Sequence, residues 1–332
     1  MTGPGVEPAA APSSHRPVML AEVLALFREM QHPPRVVVDG TVGLGGHAAS
    51  MLAARADVEV LLGLDRDPEA LQMAGERLAS ARPPDGRVPQ VRIELVHGGF
   101  ERLPQVLEAA GLAQVDFILL DLGVSTLQFK SAHRGFALKL DGPLDMRMDP
   151  SCGPTARELL ERSSREQIET WLREFGEAPF AGRIARVLHE RRHLLATTGQ
   201  LVQAVLDALP AAERHPRRGD VHPATQTFQA LRIATNRELT ALDAVLPAAL
   251  EVLAPLGRLA VISFQSLEDR RVKQAFELAS RDCICPPRLP ACGCGHRRSV
   301  RLLTRRALQP TAAEIDANPP SRSARLRAVE RL

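Results

Sequence analysis

Short, nearly unbroken apolar runs alternate with stretches of helical period from Arg35 to Asp121. Arg35-Val-Val-Val-Asp39 stops at a glycine-rich turn and predicts a buried strand, and Gly46 to Ala54 predicts a helix. Val58 to Asp65 is a second strand. Asp67-Pro68 follows as an N-cap with proline at the first helical position, opening a helix to about Arg82. A third strand is expected over Val91–Val96, a third helix over Glu101–Ala110, and a fourth strand over Val115–Asp121. Strands and helices alternating at this length predict an α/β fold with a parallel sheet covered on both faces.

The alternation then stops. From about Thr126 to His222 the pattern predicts helices and loops without a strand, with helical period over Ala156–Phe175, Ala181–His193 and Thr198–Leu209. A long helical region, Ala224–Leu253, precedes a strand at Gly257–Phe264 and a helix at Leu267–Ser280, and Val300–Arg305 is a candidate late strand. Residues 15–128 and 222–332 therefore read as one discontinuous α/β domain, and 129–221 as an inserted helical domain. Proline-rich patches at 83–89 and 286–290 read as loops.

The composition, 45% hydrophobic and 24% charged in 332 residues, is that of a folded globular chain. No run approaches the roughly 18 apolar residues of a membrane span. Residues 1–14 lack the basic start and apolar stretch of a signal peptide and read as a loose tail. A cytoplasmic protein with reduced thiols is the expectation. The net charge is only +3, but Arg297–Leu332 holds nine arginines against Glu314, Asp316 and Glu330. A basic end on a near-neutral body suits an anionic partner such as RNA, and a solvated arginine-rich tail explains it equally well. Three lysines among 42 basic residues make the positive charge almost all guanidinium, which grips phosphate through paired hydrogen bonds. With no tyrosine and one tryptophan, an RNA-binding sheet that stacks several bases on aromatic rings is not expected.

The first strand runs into Asp39-Gly-Thr-Val-Gly-Leu-Gly-Gly-His47. Its glycines permit a sharp turn and close approach of a ligand, and Asp65, 20 residues after Gly45, sits where a carboxylate accepts ribose hydroxyls. Gly43-Leu-Gly-Gly-His-Ala48 also fits a dinucleotide fingerprint, so the loop alone leaves S-adenosylmethionine, a nicotinamide cofactor and a purely structural turn open. Asp39, four residues before Gly43, favours the first, because a carboxylate there can hold the charged amino acid end of S-adenosylmethionine. Asp121-Leu-Gly-Val-Ser125 adds to this. It ends the fourth strand, beside the first in a doubly wound sheet, where an amino-group methyltransferase presents the reacting nitrogen. A dehydrogenase would more often need a histidine or a tyrosine–lysine pair there.

Longer strings then match one family. They are His15-Arg-Pro-Val-Met19, the loop Asp39–His47, Asp121–Ser125, Arg134-Gly-Phe136 running into Asp141-Gly-Pro-Leu-Asp-Met-Arg-Met-Asp149, His222-Pro-Ala-Thr225, Phe228–Ile233, Ser266-Leu-Glu-Asp-Arg270 and Ser321–Arg327. Together they resemble the bacterial small-subunit ribosomal RNA cytosine-N4 methyltransferases, the MraW or RsmH family, from His15 almost to the C-terminus. The resemblance implies a Rossmann-like methyltransferase domain with S-adenosyl-L-methionine as methyl donor. It further implies, as target, the N4 amine of a decoding-centre cytidine of 16S rRNA, nucleotide 1402 by convention. Carried over position by position, the cofactor contacts fall on Gly45, Gly46, His47, Asp65, Phe100, Asp121 and Gln128. The chain departs at Phe129-Lys130, where a Leu-Asp pair is expected, and at Gln265, where the family usually has histidine.

The cytosine N4 lone pair is delocalised into the ring, so positioning and an acceptor for an N4 proton are the expected contributions. Asp121, Asp145 and Asp149 are the candidate acceptors, with Asp121 and Asp145 preferred; turn caps and ion pairs with Arg147 are the plainer roles for Asp141, Asp145 and Asp149. Arg134, Arg147 and Arg232 are candidates for RNA contacts, and the inserted domain for RNA recognition. Cys283-Ile-Cys285 and Cys292-Gly-Cys294, followed by His296, depart from common zinc spacing, so a proline-rich loop with reduced thiols and no metal is the expectation. An oxidoreductase and a non-catalytic RNA-binding assembly factor are the competing functions, separable by which cofactor binds and by methyl transfer itself.

Overall fold

The computed structural model describes residues 16–80, 91–214, 221–286 and 292–332. The expected tail, His15, the loop at 83–89 and the patch at 287–290 lie outside them. The first half contains α1 (Leu20–Arg28), β1 (Val36–Asp39), α2 (Gly46–Ala54), β2 (Val60–Asp65), α3 (Pro68–Ser80), β3 (Arg92–His97), α4 (Leu103–Ala110), β4 (Val115–Asp121) and α5 (Thr126–Lys130). Helices α6 (Ala156–Arg162), α7 (Arg165–Glu174), α8 (Ala181–Arg191), α9 (Thr198–Ala208), α10 (Thr225–Asn236) and α11 (Glu238–Val252) follow. The chain closes with β5 (Leu253–Ser263), α12 (Ser266–Ala279), β6 (Val300–Leu302), α13 (Ala312–Ala317) and β7 (Arg325–Arg331).

The seven strands form one sheet in the order β3-β2-β1-β4-β5-β7-β6. The first five are parallel, β7 runs antiparallel to β5, and β6 antiparallel to β7. Alternate strand residues face opposite sides of the sheet. Val38, Leu62, Leu64, Ile118, Leu120 and Val261 enter one core with residues of α4, α11 and α12. Val37, Leu61, Phe117, Leu119 and Ile262 enter another with residues of α1, α2 and α3. This is the doubly wound α/β arrangement that the sequence predicts. Strand order reverses direction between β1 and β4, which leaves a crevice at their C-terminal ends.

A separate core joins α6 to α10, through Leu160, Ile168, Leu172, Ile184, Leu188, Leu201 and Val205. It also takes Ala224, Phe228 and Leu231, so α10 packs with the helical part although it lies beyond residue 221. Two expected long helices are each broken. Ser164 ends the one expected over Ala156–Phe175: its hydroxyl accepts from Gln167 N at 3.3 Å while Gln167 Oε1 accepts from Ser164 N at 2.9 Å, a reciprocal cap that starts α7. Arg237, with φ 51°, separates α10 from α11. Helix α1 and strand β7 are additions to the expected elements. The "basic tail" is therefore in part an interior strand: Arg327 pairs with Asp269 at 2.6 Å, and Glu330 with Arg258 at 2.9 Å and Arg301 at 2.5 Å. Among the described residues, no helix is long and apolar enough to cross a membrane.

Candidate active site

The turn after β1 enters α2 through Gly45, whose φ of 75° suits glycine. A Cβ there would lie 3.2 Å from Ala74 Cα of α3, and its N–H already donates to Val42 O at 2.7 Å. Gly45 shapes the turn and is not among the residues facing the cleft. Gly46 and His47 do face it, with Gly43 and Leu44. The cleft encloses about 1310 Å³ of empty space, solvent at its mouth included, at the crevice between β1 and β4.

Asp65, ending β2, faces the cleft and accepts from Gly43 N and Asp67 N, both at 2.8 Å. Burial nevertheless pushes its pKa up to about 6. Phe100, just after β3, has one side in the cleft and the other against the apolar core, with the Arg66 guanidinium 5.8 Å from its ring centre. Asp121, ending β4, donates its backbone N–H to Thr41 Oγ1 at 2.6 Å. Its Oδ2 lies 3.5 Å from His47 Nε2, and its Oδ1 is buried without a partner. His47 Nδ1 and Asp39 Oδ2 are likewise buried and unpartnered. Burial lowers the His47 pKa, but the hydrogen-bonding and charge of Asp121 outweigh it and leave the imidazole raised. Asp39 lies beneath these groups and does not line the cleft; burial raises it to about 7.

Gln128 faces the cleft, yet its side chain is engaged within the protein. Its amide donates to Asp67 Oδ2 at 3.0 Å, and its oxygen accepts from Ser125 N at 3.1 Å. Asp67, read from the sequence only as a helix cap, is the hub here. The same Oδ2 accepts from Arg134 Nη1 at 2.7 Å, and Arg134 Nη2 reaches Met148 O at 2.8 Å. This buried pair ties the start of α3 to the loop 134–149. Gly135 lets that loop fold back: its φ is 74°, and a Cβ would lie 2.4 Å from Pro143 O.

The structure does not bring Asp145 into the cleft. Its carboxylate is held by Arg147 through two hydrogen bonds of 2.8 Å. Asp141 accepts from Gly199 N at 2.8 Å and Asp149 from Ser151 N at 2.9 Å, so all three loop aspartates serve turns or ion pairs. The three arginines expected on RNA are also committed internally: Arg134 to Asp67, Arg147 to Asp145, and Arg232 to Glu238 at 2.9 Å. Phe264 and Glu268, after β5, and Asn318, after α13, face the cleft without having been expected there. At the departure from the family pattern, Gln265 Nε2 donates to Glu268 Oε1 at 2.8 Å, so this residue braces the start of α12. The run Ser263–Ser266 and the string Ser266–Arg270 were the signals for Phe264 and Glu268, and neither reached Asn318.

A glycine turn at the β1–β4 crevice, an acidic residue ending β2 and a carboxylate ending β4 are joined by agreement along the chain. The model of the MraW methylase family matches residues 12–332. The chain belongs to the MraW methylase family. The Ribosomal RNA small subunit methyltransferase H of Heliobacterium modesticaldum is 46% identical over 321 residues, 96% of this chain and 98% of that protein. The protein of the same name from Syntrophotalea carbinolica is 48% identical over 320 residues, 96% of this chain and 98% of its own length. The methyl donor of this MraW methylase is S-adenosylmethionine, and the cleft fits it. The unpartnered Nδ1 of the buried His47 suits a charged amino acid end, and Phe100 an aromatic base.

Proposed function

We propose that this methylase modifies the exocyclic N4 amine of a decoding-centre cytidine, 1402 by convention, in 16S rRNA of the small ribosomal subunit, and that it acts in the cytoplasm. The observation that carries the reading is Asp121: a carboxylate at the end of β4, facing the cleft, with Oδ1 buried and unpartnered. The name borne by relatives 46% and 48% identical supports the ribosomal substrate.

S-adenosylmethionine, when bound, supplies an activated methyl group. The residues of the chain then do the rest. Asp65 accepts from the ribose, Phe100 packs on the adenine, and Gly46 and His47 hold the amino acid end, on a turn that Gly45 shapes. Gln128 acts by fixing Asp67 and Ser125 around the same cleft. Asp121 Oδ1 accepts an N4–H hydrogen bond, which draws electron density toward the nitrogen and aligns its lone pair. Asp145 contributes by ordering the loop 134–149 with Arg147, in place of touching the base.

The helical part, residues 129–221, provides RNA recognition in this reading. The target cytosine leaves its stack and enters the cleft, since an amine within a base pair cannot line up with a donor at the strand ends. Such extrusion costs a few kcal/mol and is least costly where the base is already poorly stacked. Phe264 and Met148 offer apolar faces at the cleft for the base. The test is tritiated methyl transfer to small subunits followed by nucleoside analysis. Label in N4-methylcytidine at one site is expected, lost in Asp121→Ala. Label in any other nucleoside overturns the reading.

A further inference from the structure

Between α12 and β6 the chain makes a loop whose base is closed by Ser299 N donating to Ala279 O at 2.8 Å. The loop carries Cys283-Ile-Cys285 and Cys292-Gly-Cys294. Two short turns that look mismatched to zinc in sequence meet face to face in space, and the four sulfurs all lie within 4.8 Å of one another. Four of the six separations are 3.4 Å for Cys283–Cys292, 3.7 Å for Cys283–Cys294, 3.6 Å for Cys292–Cys294 and 4.0 Å for Cys285–Cys292. Zinc–sulfur bonds of about 2.3 Å require tetrahedron edges of about 3.8 Å, and the observed separations bracket that value. A disulfide requires about 2.05 Å between one pair and no such closeness to the others. The four thiols are instead drawn together as a set.

Two further features belong to a metal-thiolate knuckle. Ile284 N points at Cys294 Sγ at 3.5 Å, and Cys285 N at Cys283 Sγ at 3.4 Å. Backbone N–H groups directed at sulfur stabilise the charge a thiolate keeps on a metal. His296, the fifth ligand candidate in the sequence, is turned away, with Nε2 3.0 Å from Leu278 O. Among the loop's described residues the one large apolar side chain, Ile284, is itself exposed. A cross-link between the two turns supplies what a core would.

We propose that Cys283, Cys285, Cys292 and Cys294 form a closed, structural tetrathiolate zinc site. Binding replaces four S–H bonds by four Zn–S bonds and releases four protons, leaving a complex of charge −2. Arg297 is exposed on the adjoining segment, and Arg298 pairs with Asp282 at 3.3 Å. None of the four cysteines lines the cleft, and four protein ligands leave no open position, so the site fastens the α12–β6 connection and takes no part in methyl transfer.

The test uses the full chain, purified under reducing conditions from zinc-supplemented medium without a histidine tag. Elemental analysis should find about one zinc per chain, absent from the Cys283→Ser/Cys292→Ser double variant. On the unaltered chain, replacement by cobalt(II) should give the thiolate charge-transfer and tetrahedral d–d absorption of a four-sulfur site. A thiol reagent should titrate one of the five cysteines, Cys152, before metal removal and all five afterwards. These two measurements stand even if the variant fails to fold. A metal-free chain with two disulfides by non-reducing mass spectrometry, an iron-loaded chain, or a folded double variant that keeps its zinc would each overturn the proposal.

Discussion

Replacing Arg134 by methionine should destabilise the protein and leave its intrinsic RNA contacts intact. The guanidinium is almost fully buried against Asp67, which has no exposed surface at all. Arg134→Met removes the 2.7 Å bond to Asp67 Oδ2 and the bonds to Met148 O and Arg147 O at 2.8 and 3.2 Å. On that Asp67 oxygen only the Gln128 amide remains. Removing one partner of a buried ion pair costs about 3–5 kcal/mol, because the other charge stays buried and uncompensated. A loss of that size is expected in urea unfolding of the full chain, followed by fluorescence of the single tryptophan, Trp171, and by circular dichroism. Trp171 packs against the helical core and reports its unfolding. The double variant Asp67→Asn/Arg134→Met carries no stranded anion and should recover about 2 kcal/mol of the loss, a coupling within the range for contacting residues. At concentrations of denaturant where the variant is folded, its affinity for small-subunit RNA should match that of the unaltered chain. Unchanged unfolding energy together with lost RNA affinity would refute the reasoning and return Arg134 to the RNA surface.

Asp65→Ala should weaken S-adenosylmethionine binding by about 1–3 kcal/mol in calorimetry, the cost of losing hydrogen bonds to a charged acceptor. Because burial raises Asp65 to about 6, the folded apo chain holds this proton more tightly than the unfolded chain does, so this group's contribution to stability falls as pH rises from about 4 to 6 and is level above that. Donors from a bound ribose favour the ionised form, so affinity should rise with pH through about 6, and Asp65→Asn should flatten that rise. Charge reversal at the exposed Arg162 and Arg183 of the helical part should weaken RNA binding and reduce its salt dependence, with cofactor affinity unchanged; filter binding across a salt series reads both. Asp145→Ala frees Arg147 and loosens the loop 134–149, so single-turnover methyl transfer should slow by about tenfold, or 1.4 kcal/mol of barrier, while cofactor affinity holds.

The sequence by itself determined the first four strands and the helices between them, because each is a short apolar run or a single helical period bounded by its own turn residues. It also determined the place of the cleft, since the glycine turn, Asp65 and Asp121 are all strand-end residues and the α/β alternation brings strand ends together. It did not determine β7, whose Arg325–Arg331 looks like a solvated basic tail until Asp269 and Arg258 are set beside Arg327 and Glu330. The break at Arg237 was also out of reach, because helical period continues through it, whereas the one at Ser164 carries a capping signal, Ser164-Arg-Glu-Gln167, that the helical period masked. Which polar side chains serve the cleft was decided only by tertiary structure. Asp67, Gln128 and Arg134 meet from positions 61 and 67 residues apart, and Asp145 spends its charge on Arg147 two residues away. The four cysteines make the same point: spacing along the chain measures how far a turn can reach, whereas the grouping of sulfurs depends on two turns meeting across a folded loop.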